Sequence, residues 1–129
     1  MLETYFKYIY NNVVSASREK FMELLDGPVD SLLDLGCWDG ANTLRYGKKT
    51  HARNLFGIEI EETKAKLASK KGIKVKLSDL NDRFPFKDSS MDVVVANHVI
   101  EHLTQTELFI SEIYRVLKKN GYAVIATPN

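Results

Sequence analysis

Two patterns of apolar and polar residues alternate along this chain: short apolar runs, and apolar residues at helical spacing. Short apolar runs predict strands at residues 32–35, 55–59, 73–77, 92–96 and 122–126. Apolar residues at helical spacing predict amphipathic helices at residues 2–13, 18–25, 41–49, 61–71 and between 104 and 121. Because strands and helices alternate through most of the chain, the pattern predicts an α/β fold with a parallel sheet.

The composition of individual runs refines this prediction. Residues 92–96 form a nearly continuous β-branched run, which is expected of a central strand buried on both faces. Residues 73–77 alternate lysines with apolar side chains, which is typical of an edge strand. Residues 104–107 have the form of a capping box at the start of the last helix, and residues 118–121 are its expected end. Residues 81–90 are predicted to form a polar loop.

The first buried strand ends at a pair of glycines. Residues 36–40 read Gly-Cys-Trp-Asp-Gly, and such a turn before a helix is typical of nucleotide-binding α/β folds. A dinucleotide site would need glycine where Trp38 stands, so the indole disfavours a pyrophosphate ligand. Asp34 and Asp39 flank the turn, and no Lys or Arg lies between positions 30 and 44, which favours a ligand with positive charge. An ordinary strand–turn–helix without a ligand is the alternative.

Composition narrows the class of protein. The chain has 129 residues and a formal net charge of +1, which indicates one globular domain and gives no sign of a nucleic-acid or membrane partner. No apolar run reaches membrane-spanning length, and residues 1–10 are too polar for a signal peptide. Cys37 is the single cysteine, so neither a disulfide framework nor a cysteine zinc site is expected. The cytoplasm is the expected compartment.

Motifs from Asp30 to Asn129 resemble, in order, those of the class I (Rossmann-like) S-adenosylmethionine-dependent methyltransferases. Residues 33–40 are similar to the family form LDLGCGTG, with Trp38 in place of the middle glycine. Three further segments resemble the family forms l-P-f-x-d-x-s-F-D-v-V, V-L-E-H-L and E-x-x-R-V-L-K-P-G-G: residues 84–94, 99–103 and 112–121. The nearest resemblance is to small-molecule methyltransferases of the ubiquinone/menaquinone-biosynthesis type (methyltransferase type 11-like).

This resemblance implies a three-layer αβα Rossmann-like fold with a parallel sheet in the order 3-2-1-4-5. Residues 1–129 are then a single domain, with an N-terminal helical lid at 1–28 and a core at 29–129. The tyrosines of the N-terminal stretch either line a substrate pocket or cover the sheet: Tyr5, Tyr8 and Tyr10. The chain lacks the antiparallel strand pair that usually finishes the family's sheet. We therefore expect a truncated chain, or a fifth-strand edge that pairs in a homodimer or with a partner chain.

The implied cofactor is S-adenosylmethionine, which leaves as S-adenosylhomocysteine. Glu59 ends the second strand at about the 20-residue spacing at which an acid can bind both ribose hydroxyls; a solvated helix-capping acid is the alternative. The resemblance places the adenine amino group on Asp79 and a ring nitrogen on the Leu80 amide, although an Asp after a strand is often a turn residue. The implied cofactor-binding residues are Asp34, Gly36, Cys37, Trp38, Gly40, Glu59, Ile60, Asp79, Leu80 and Asn97.

Methyl transfer from a sulfonium needs a base only if the acceptor must lose a proton. His98, directly after the fourth strand, and His102 are the candidates for that base, and a helix-capping or core role is the alternative for each. They form an i, i+4 pair, but no third metal ligand is in register, so no metal site is expected. Cys37 has no activating neighbour and is interpreted as a small buried residue whose backbone lines the cofactor.

Three functions remain open at this point. The first is a methyltransferase that acts on a small molecule by in-line displacement. The second is a non-catalytic module that keeps the fold for assembly with a partner chain, which Trp38 and the short carboxyl terminus favour. The third is a nicotinamide-dependent oxidoreductase, which Trp38 and the acidic turn disfavour.

Overall fold

The computed structural model describes residues 18–127, so the helix predicted at residues 2–13 lies outside the described part. The strands are β1 (Ser31–Leu35), β2 (Asn54–Glu59), β3 (Lys74–Leu77), β4 (Met91–Asn97) and β5 (Leu117–Ala126). They form one parallel sheet in the order β3-β2-β1-β4-β5, which confirms the predicted order. The lysine-rich β3 lies at one edge, as predicted, and β5 lies at the other.

Helices cover both faces of the sheet, which confirms the three-layer architecture. They are α1 (Arg18–Glu23), α2 (Ala41–Thr50), α3 (Glu62–Lys70) and α4 (Thr106–Val116), with a 3-10 turn at Ile100–His102. Because side chains alternate along a strand, Val93 and Val95 of β4 pack in one cluster with Tyr46 of α2, whereas Val94 packs with Ile113 of α4. None of the helices among residues 18–127 is long and apolar enough to cross a membrane.

The predicted capping box at residues 104–107 is wrong. Helix α4 begins at Thr106, and its N-cap residue, Gln105, makes no side-chain capping hydrogen bond. The side-chain oxygen of Asn81 instead accepts the backbone N–H groups of Thr104 and Gln105 at 2.9 and 3.0 Å, and also the Thr104 hydroxyl at 3.2 Å. The Thr104 hydroxyl therefore bonds to a loop that is distant in sequence, whereas the local pattern predicted that it would cap the helix.

The predicted end of α4 at residues 118–121 is also wrong. The last helical residue is Val116, and Leu117 already belongs to β5. The carbonyl of Val116 accepts the N–H of Ser90 at 2.8 Å, so the loop before β4 satisfies part of the helix end. Residues 118–121 form an irregular part of β5, where the register with β4 shifts.

A buried ion pair fastens the loop before β4 to α4. Arg115 donates two hydrogen bonds of 2.7 and 2.8 Å to Glu112, which is 5% exposed. Glu112 also accepts the N–H of Phe84, and the guanidinium donates to the carbonyls of Phe84 and Phe86. Hydrogen bonds from Arg115 hold the pKa of Glu112 below its ordinary value. An open depression of about 560 Å³ lies beside this ion pair and is lined by Arg115 and residues 83–88.

The first described segment packs on the same face of the sheet as α2. Phe21 and Leu25 are buried there, and the ring centroids of Phe21 and Tyr46 lie 5.2 Å apart. The Tyr122 hydroxyl exchanges hydrogen bonds of 2.6 and 2.7 Å with the backbone of Asp26, which fixes the segment to β5. The lid at residues 1–28 stays a prediction, because its larger part lies outside the described residues.

Candidate functional site

The carboxyl ends of β1, β2 and β4 bring the predicted site residues to one edge of the sheet. Leu35 pairs with Ile58 across β1 and β2, so the turn that begins at Gly36 lies beside Glu59. Asp34 pairs with Val95 across β1 and β4, which places the turn near the end of β4 as well. In open α/β sheets ligands bind at this edge, where the strand order reverses.

The turn requires glycine at Gly36 and at Gly40 for different structural reasons. Both have a positive φ, +76° at Gly36 and +87° at Gly40, a conformation that L side chains rarely adopt. A Cβ atom on Gly40 would lie 2.5 Å from Cδ1 of Ile73, so this glycine lets the turn pack against the segment before β3. Gly36 is exposed at the mouth of the turn; its N–H donates to the carbonyl of Ile58 at 2.9 Å, which leaves its own carbonyl for a ligand.

Trp38 occupies a backbone conformation that suits glycine. Its φ is +51°, which explains structurally why the family form has glycine at this position. The backbone N–H of Trp38 donates to Oε1 of Glu59 at 2.9 Å, and Nζ of Lys64 lies 4.8 Å from the centroid of the indole. The side chain is nonetheless 53% exposed, so a large aromatic surface borders the turn.

Glu59 joins the glycine turn to the start of α3. It is 6% exposed, and besides the Trp38 N–H its carboxylate accepts the N–H groups of Ile60 and Glu61 at 3.0 and 2.9 Å. A carboxylate can accept about four hydrogen bonds, and Oε1 accepts only one here, so a ligand hydroxyl can still bind. The N-cap of α3 is Glu61, which accepts the N–H groups of Thr63 and Lys64, so Glu59 is not the solvated helix cap.

Asp34 is a buried acid without a cationic partner among the described residues. It is 4% exposed, and the Thr43 hydroxyl donates to Oδ2 at 2.7 Å. Burial raises the pKa of Asp34 to about 7, and the charge of Glu59 acts in the same direction. A ligand with positive charge would stabilise the ionised form of this carboxyl.

The segment after β3 carries the predicted adenine contacts. Oδ1 of Asp79 accepts the N–H of Asn81 at 2.8 Å, while Leu80 is buried in the core. Ile60, which follows β2, is 65% exposed and offers an apolar surface beside Glu59. Sequence reasoning missed Asn81, whose side chain ties this segment to the residues before α4. A short polar residue in a strand-to-loop turn was its only local signal.

The two histidines lie at the surface near the end of β4, which excludes the core role for both. His98 is exposed, has a φ of +55°, and donates its backbone N–H to the carbonyl of Ala126 at 2.9 Å. The His102 side chain is 76% exposed, with Nε2 3.7 Å from the Glu101 carboxylate. Among residues 18–127, no group of three or more His, Cys, Asp or Glu side chains could hold a metal ion.

Cys37 is a small buried residue, as the sequence interpretation held. Its side chain is 3% exposed, and a Cβ atom on Gly57 would lie 2.6 Å from its sulfur. Burial, together with the charges of Asp34 and Glu59, raises the pKa of the thiol to about 12. A protonated, buried thiol is a poor nucleophile, so Cys37 has a packing role.

The residues at this edge fit S-adenosylmethionine better than a dinucleotide. Buried carboxyls at Asp34 and Glu59, without a cationic partner in the described part of the chain, suit a ligand with a sulfonium and an ammonium group. Oε1 of Glu59 has room for a ribose hydroxyl. The indole of Trp38 stands where a pyrophosphate site needs glycine.

Comparison with known proteins agrees with this chemistry. The family model described as "Methyltransferase domain" matches residues 33–125. The chain is 34% identical over 115 residues to the ajmaline N-methyltransferase of Rauvolfia serpentina, covering 81% of this chain and 39% of that protein. It is 31% identical over 107 residues to the mitochondrial ubiquinone biosynthesis O-methyltransferase of Mus musculus, covering 76% and 28%. The chain thus spans well under half the length of these relatives.

Solved structures share the fold. A geranyl diphosphate C-methyltransferase of Streptomyces coelicolor, in complex with S-adenosyl-L-homocysteine, superposes with a TM-score of 0.70 at 23% identity, covering 83% of this chain and 43% of that one. A complex containing the Trm112 methyltransferase activator of Haloferax volcanii gives 0.73 at 20% identity, covering 81% and 48%. The motifs, the fold and the matching family model lead to one conclusion: the chain belongs to the S-adenosylmethionine-dependent methyltransferase family.

Proposed function

We propose that this chain is the cofactor-binding part of an enzyme that transfers a methyl group from S-adenosylmethionine to a small molecule by in-line displacement. The observation that carries the proposal is the pair of buried carboxyls at the glycine turn. Asp34 and Glu59 are 4% and 6% exposed, and neither has a cationic partner among the described residues. A cationic ligand would compensate this charge.

The proposed cofactor contacts follow from the positions of the side chains. Glu59 would accept a ribose hydroxyl through Oε1. The exposed apolar surface of Ile60 and the segment Asp79–Leu80 would border the adenine. The carbonyl of Gly36 would accept a hydrogen bond from the ammonium group of the cofactor.

Methyl transfer from a sulfonium depends more on how the chain positions the reactants than on acid–base catalysis. The sulfonium supplies an activated methyl group and departs as a neutral thioether. The chain's share is to hold the cofactor and to exclude water from the reacting atoms. If the acceptor loses a proton, His98 is the favoured base, because its exposed side chain directly follows β4 at the ligand edge. His102 is the second candidate.

We infer a small-molecule acceptor, and the comparisons leave its reacting atom open. The names of the two relatives specify an N-methyltransferase and an O-methyltransferase, so similar chains act on different atoms. Most of each relative's length has no counterpart in this chain. We expect the cofactor to bind within residues 18–127 and acceptor specificity to depend on further residues. The cytoplasm is the proposed compartment, consistent with the free thiol of Cys37.

A non-catalytic module that assembles with a partner is the second candidate. One fold neighbour supports it: the complex that contains a methyltransferase activator. In that complex the fold is found together with a partner chain. β5 ends the described sheet, and its outer edge would pair in a homodimer or with a partner chain.

Calorimetric titration with S-adenosylhomocysteine, with NADH as the control, tests the proposal. We expect micromolar binding of the first ligand and none of the second. Tritium transfer from labelled S-adenosylmethionine to a panel of small amines, phenols and acids then separates the two candidates. Binding with turnover supports the enzyme, and binding without turnover by the full-length natural protein supports the module. Failure of a folded chain to bind S-adenosylhomocysteine would contradict both the cofactor site and the enzyme.

A further inference from the structure

The carboxylate of Glu59 already accepts three hydrogen bonds from the backbone. Oε2 accepts the N–H groups of Ile60 at 3.0 Å and Glu61 at 2.9 Å, and Oε1 accepts the N–H of Trp38 at 2.9 Å. The residue is 6% exposed, so these bonds lie in a place that water reaches poorly. What a ligand can add depends on the acceptor positions that the three bonds leave open.

The three donors belong to backbone that other hydrogen bonds hold in place. The carbonyl of Ile58 accepts the N–H groups of Gly36 and Cys37 at 2.9 and 3.1 Å, which fastens the glycine turn to the end of β2. The carbonyl of Glu61 accepts the N–H of Ala65 at 2.9 Å, which fixes the other two donors to the start of α3. Half a turn of the carboxylate would exchange its two oxygens but leave the same three donors facing them.

These bonds leave one acceptor position on the carboxylate. A carboxylate has about four lone-pair positions, two on each oxygen. Two backbone donors therefore fill the oxygen of Glu59 that faces the start of α3, and one position remains on the oxygen that faces the glycine turn. The spacing in the sequence predicts an acid that binds both ribose hydroxyls, which needs two open positions.

We propose that Glu59 binds a single hydroxyl of the cofactor ribose, through the oxygen that faces the glycine turn, so that the site discriminates between the 2′ and 3′ positions. This rests on the proposed S-adenosylmethionine site and goes beyond it, because it assigns a selectivity within the ribose. A ligand without the bound hydroxyl loses a hydrogen bond to a charged acceptor. A ligand without the neighbouring hydroxyl loses no bond to Glu59.

Calorimetry with three ligands tests the proposal: S-adenosylhomocysteine and its 2′-deoxy and 3′-deoxy analogues, each with the full wild-type chain and with Glu59→Ala. We expect one analogue to bind the wild type at least about tenfold more weakly than the parent ligand, because a hydrogen bond to a charged group is lost. The other analogue should bind within about threefold of the parent. In Glu59→Ala the two analogues should differ by less than about twofold, since the group that distinguishes them is absent.

Glu62→Ala is the matched control, because it removes the same charge from an exposed position on α3. It should reproduce the wild-type affinities for all three ligands. Equal losses with the two analogues in the wild type would overturn the proposal. A difference that persists in Glu59→Ala would also overturn it, since another group would then distinguish the hydroxyls.

The wild-type chain decides alone if Glu59→Ala fails to fold. Affinities for the two analogues that lie within about twofold of each other then reject the proposal, and a tenfold difference supports it. A folded wild-type chain that binds none of the three ligands would instead refute the proposed function on which the inference rests.

Discussion

Two buried acidic positions, near opposite ends of β4, deal with their charge in different ways. Near its amino end, Glu112 is 5% exposed and accepts two hydrogen bonds from Arg115, which lowers the pKa of the carboxyl. At the ligand edge, Asp34 is 4% exposed, and its carboxyl accepts a hydrogen bond from the neutral hydroxyl of Thr43. Burial raises the pKa of Asp34 to about 7.

This difference distinguishes an ion pair that stabilises the fold, Glu112 with Arg115, from a candidate ligand site. A buried acid paired with a guanidinium is satisfied by the protein itself and has no need of a ligand. A buried acid without a cation has an unfavourable environment that a ligand of positive charge can correct. The open depression beside Arg115 is thus lined by an acid–base pair that is already satisfied, whereas the glycine turn has the uncompensated carboxyl of Asp34.

The largest expected effect on stability comes from breaking the ion pair between Arg115 and Glu112. Arg115→Ala leaves Glu112 buried without its partner and should lower the free energy of unfolding by about 3–5 kcal/mol. Lys66→Ala is the control, because Lys66 and Glu62 form a pair in which both side chains are about 70% exposed; its loss should cost less than about 0.5 kcal/mol. Urea unfolding measures both, and similar values for the two variants would contradict the account.

Asp34→Asn should change the pH dependence of stability. The folded pKa of Asp34 is about 7, above the unfolded value of about 4, so the native state binds the proton more tightly. The wild type should therefore lose up to about 4 kcal/mol from this group as the pH rises from 4 to 7, with no further loss above that range. The amide cannot ionise and is free of this loss. Thermal unfolding of both proteins between pH 4 and 8 measures it, and parallel profiles would refute the assignment.

Removal of the ligand-edge carboxylate should mainly affect binding. Glu59→Ala takes away the proposed ribose acceptor and should weaken S-adenosylhomocysteine binding by about 1–3 kcal/mol. Glu62→Ala removes the same charge from an exposed position on α3, where the carboxylate pairs with Lys66, and should leave the affinity unchanged. Calorimetry on both variants compares them, and unchanged affinity in Glu59→Ala would remove that residue from the site.

The smallest expected effect concerns the strained turn. Trp38→Gly relieves a left-handed conformation but loses the contact with Lys64, so stability should rise by up to about 1 kcal/mol. His51→Gly relieves a similar φ of +50° at the end of α2 and should give a comparable gain. Only Trp38→Gly should alter ligand binding. Thermal unfolding and calorimetry test the pair, and an effect of His51→Gly on affinity would show that the change is not local.

Local periodicity was sufficient for the strands, for the central position of residues 92–96 and for the edge position of residues 73–77, whereas the order of the whole sheet followed from the family resemblance. The turn at Gly36 was equally visible, since a strand that ends in glycine has a local signature. The left-handed backbone of Trp38 could also be anticipated, because the family form has glycine at this position. These are features that neighbouring residues determine.

Long-range contacts could not be predicted in the same way. Asn81 takes the hydroxyl of Thr104, and Arg115 reaches the carbonyl of Phe84; both bonds span more than twenty positions of sequence. The pKa of Asp34 depends on how deeply the folded chain buries its carboxyl, which composition does not reveal. The link from Tyr46 to Asn97 exists only after α2 has packed on the sheet.

Fluorescence of Trp38 during titration with S-adenosylhomocysteine tests the central claim most directly. Trp38 is the single tryptophan of the chain and lies at the turn, where its backbone N–H donates to Glu59 at 2.9 Å. The account predicts a saturable change in emission whose midpoint equals the calorimetric dissociation constant. Heat of binding without a change at Trp38 would place the ligand elsewhere and contradict the claim that the buried acids at the glycine turn mark the cofactor site.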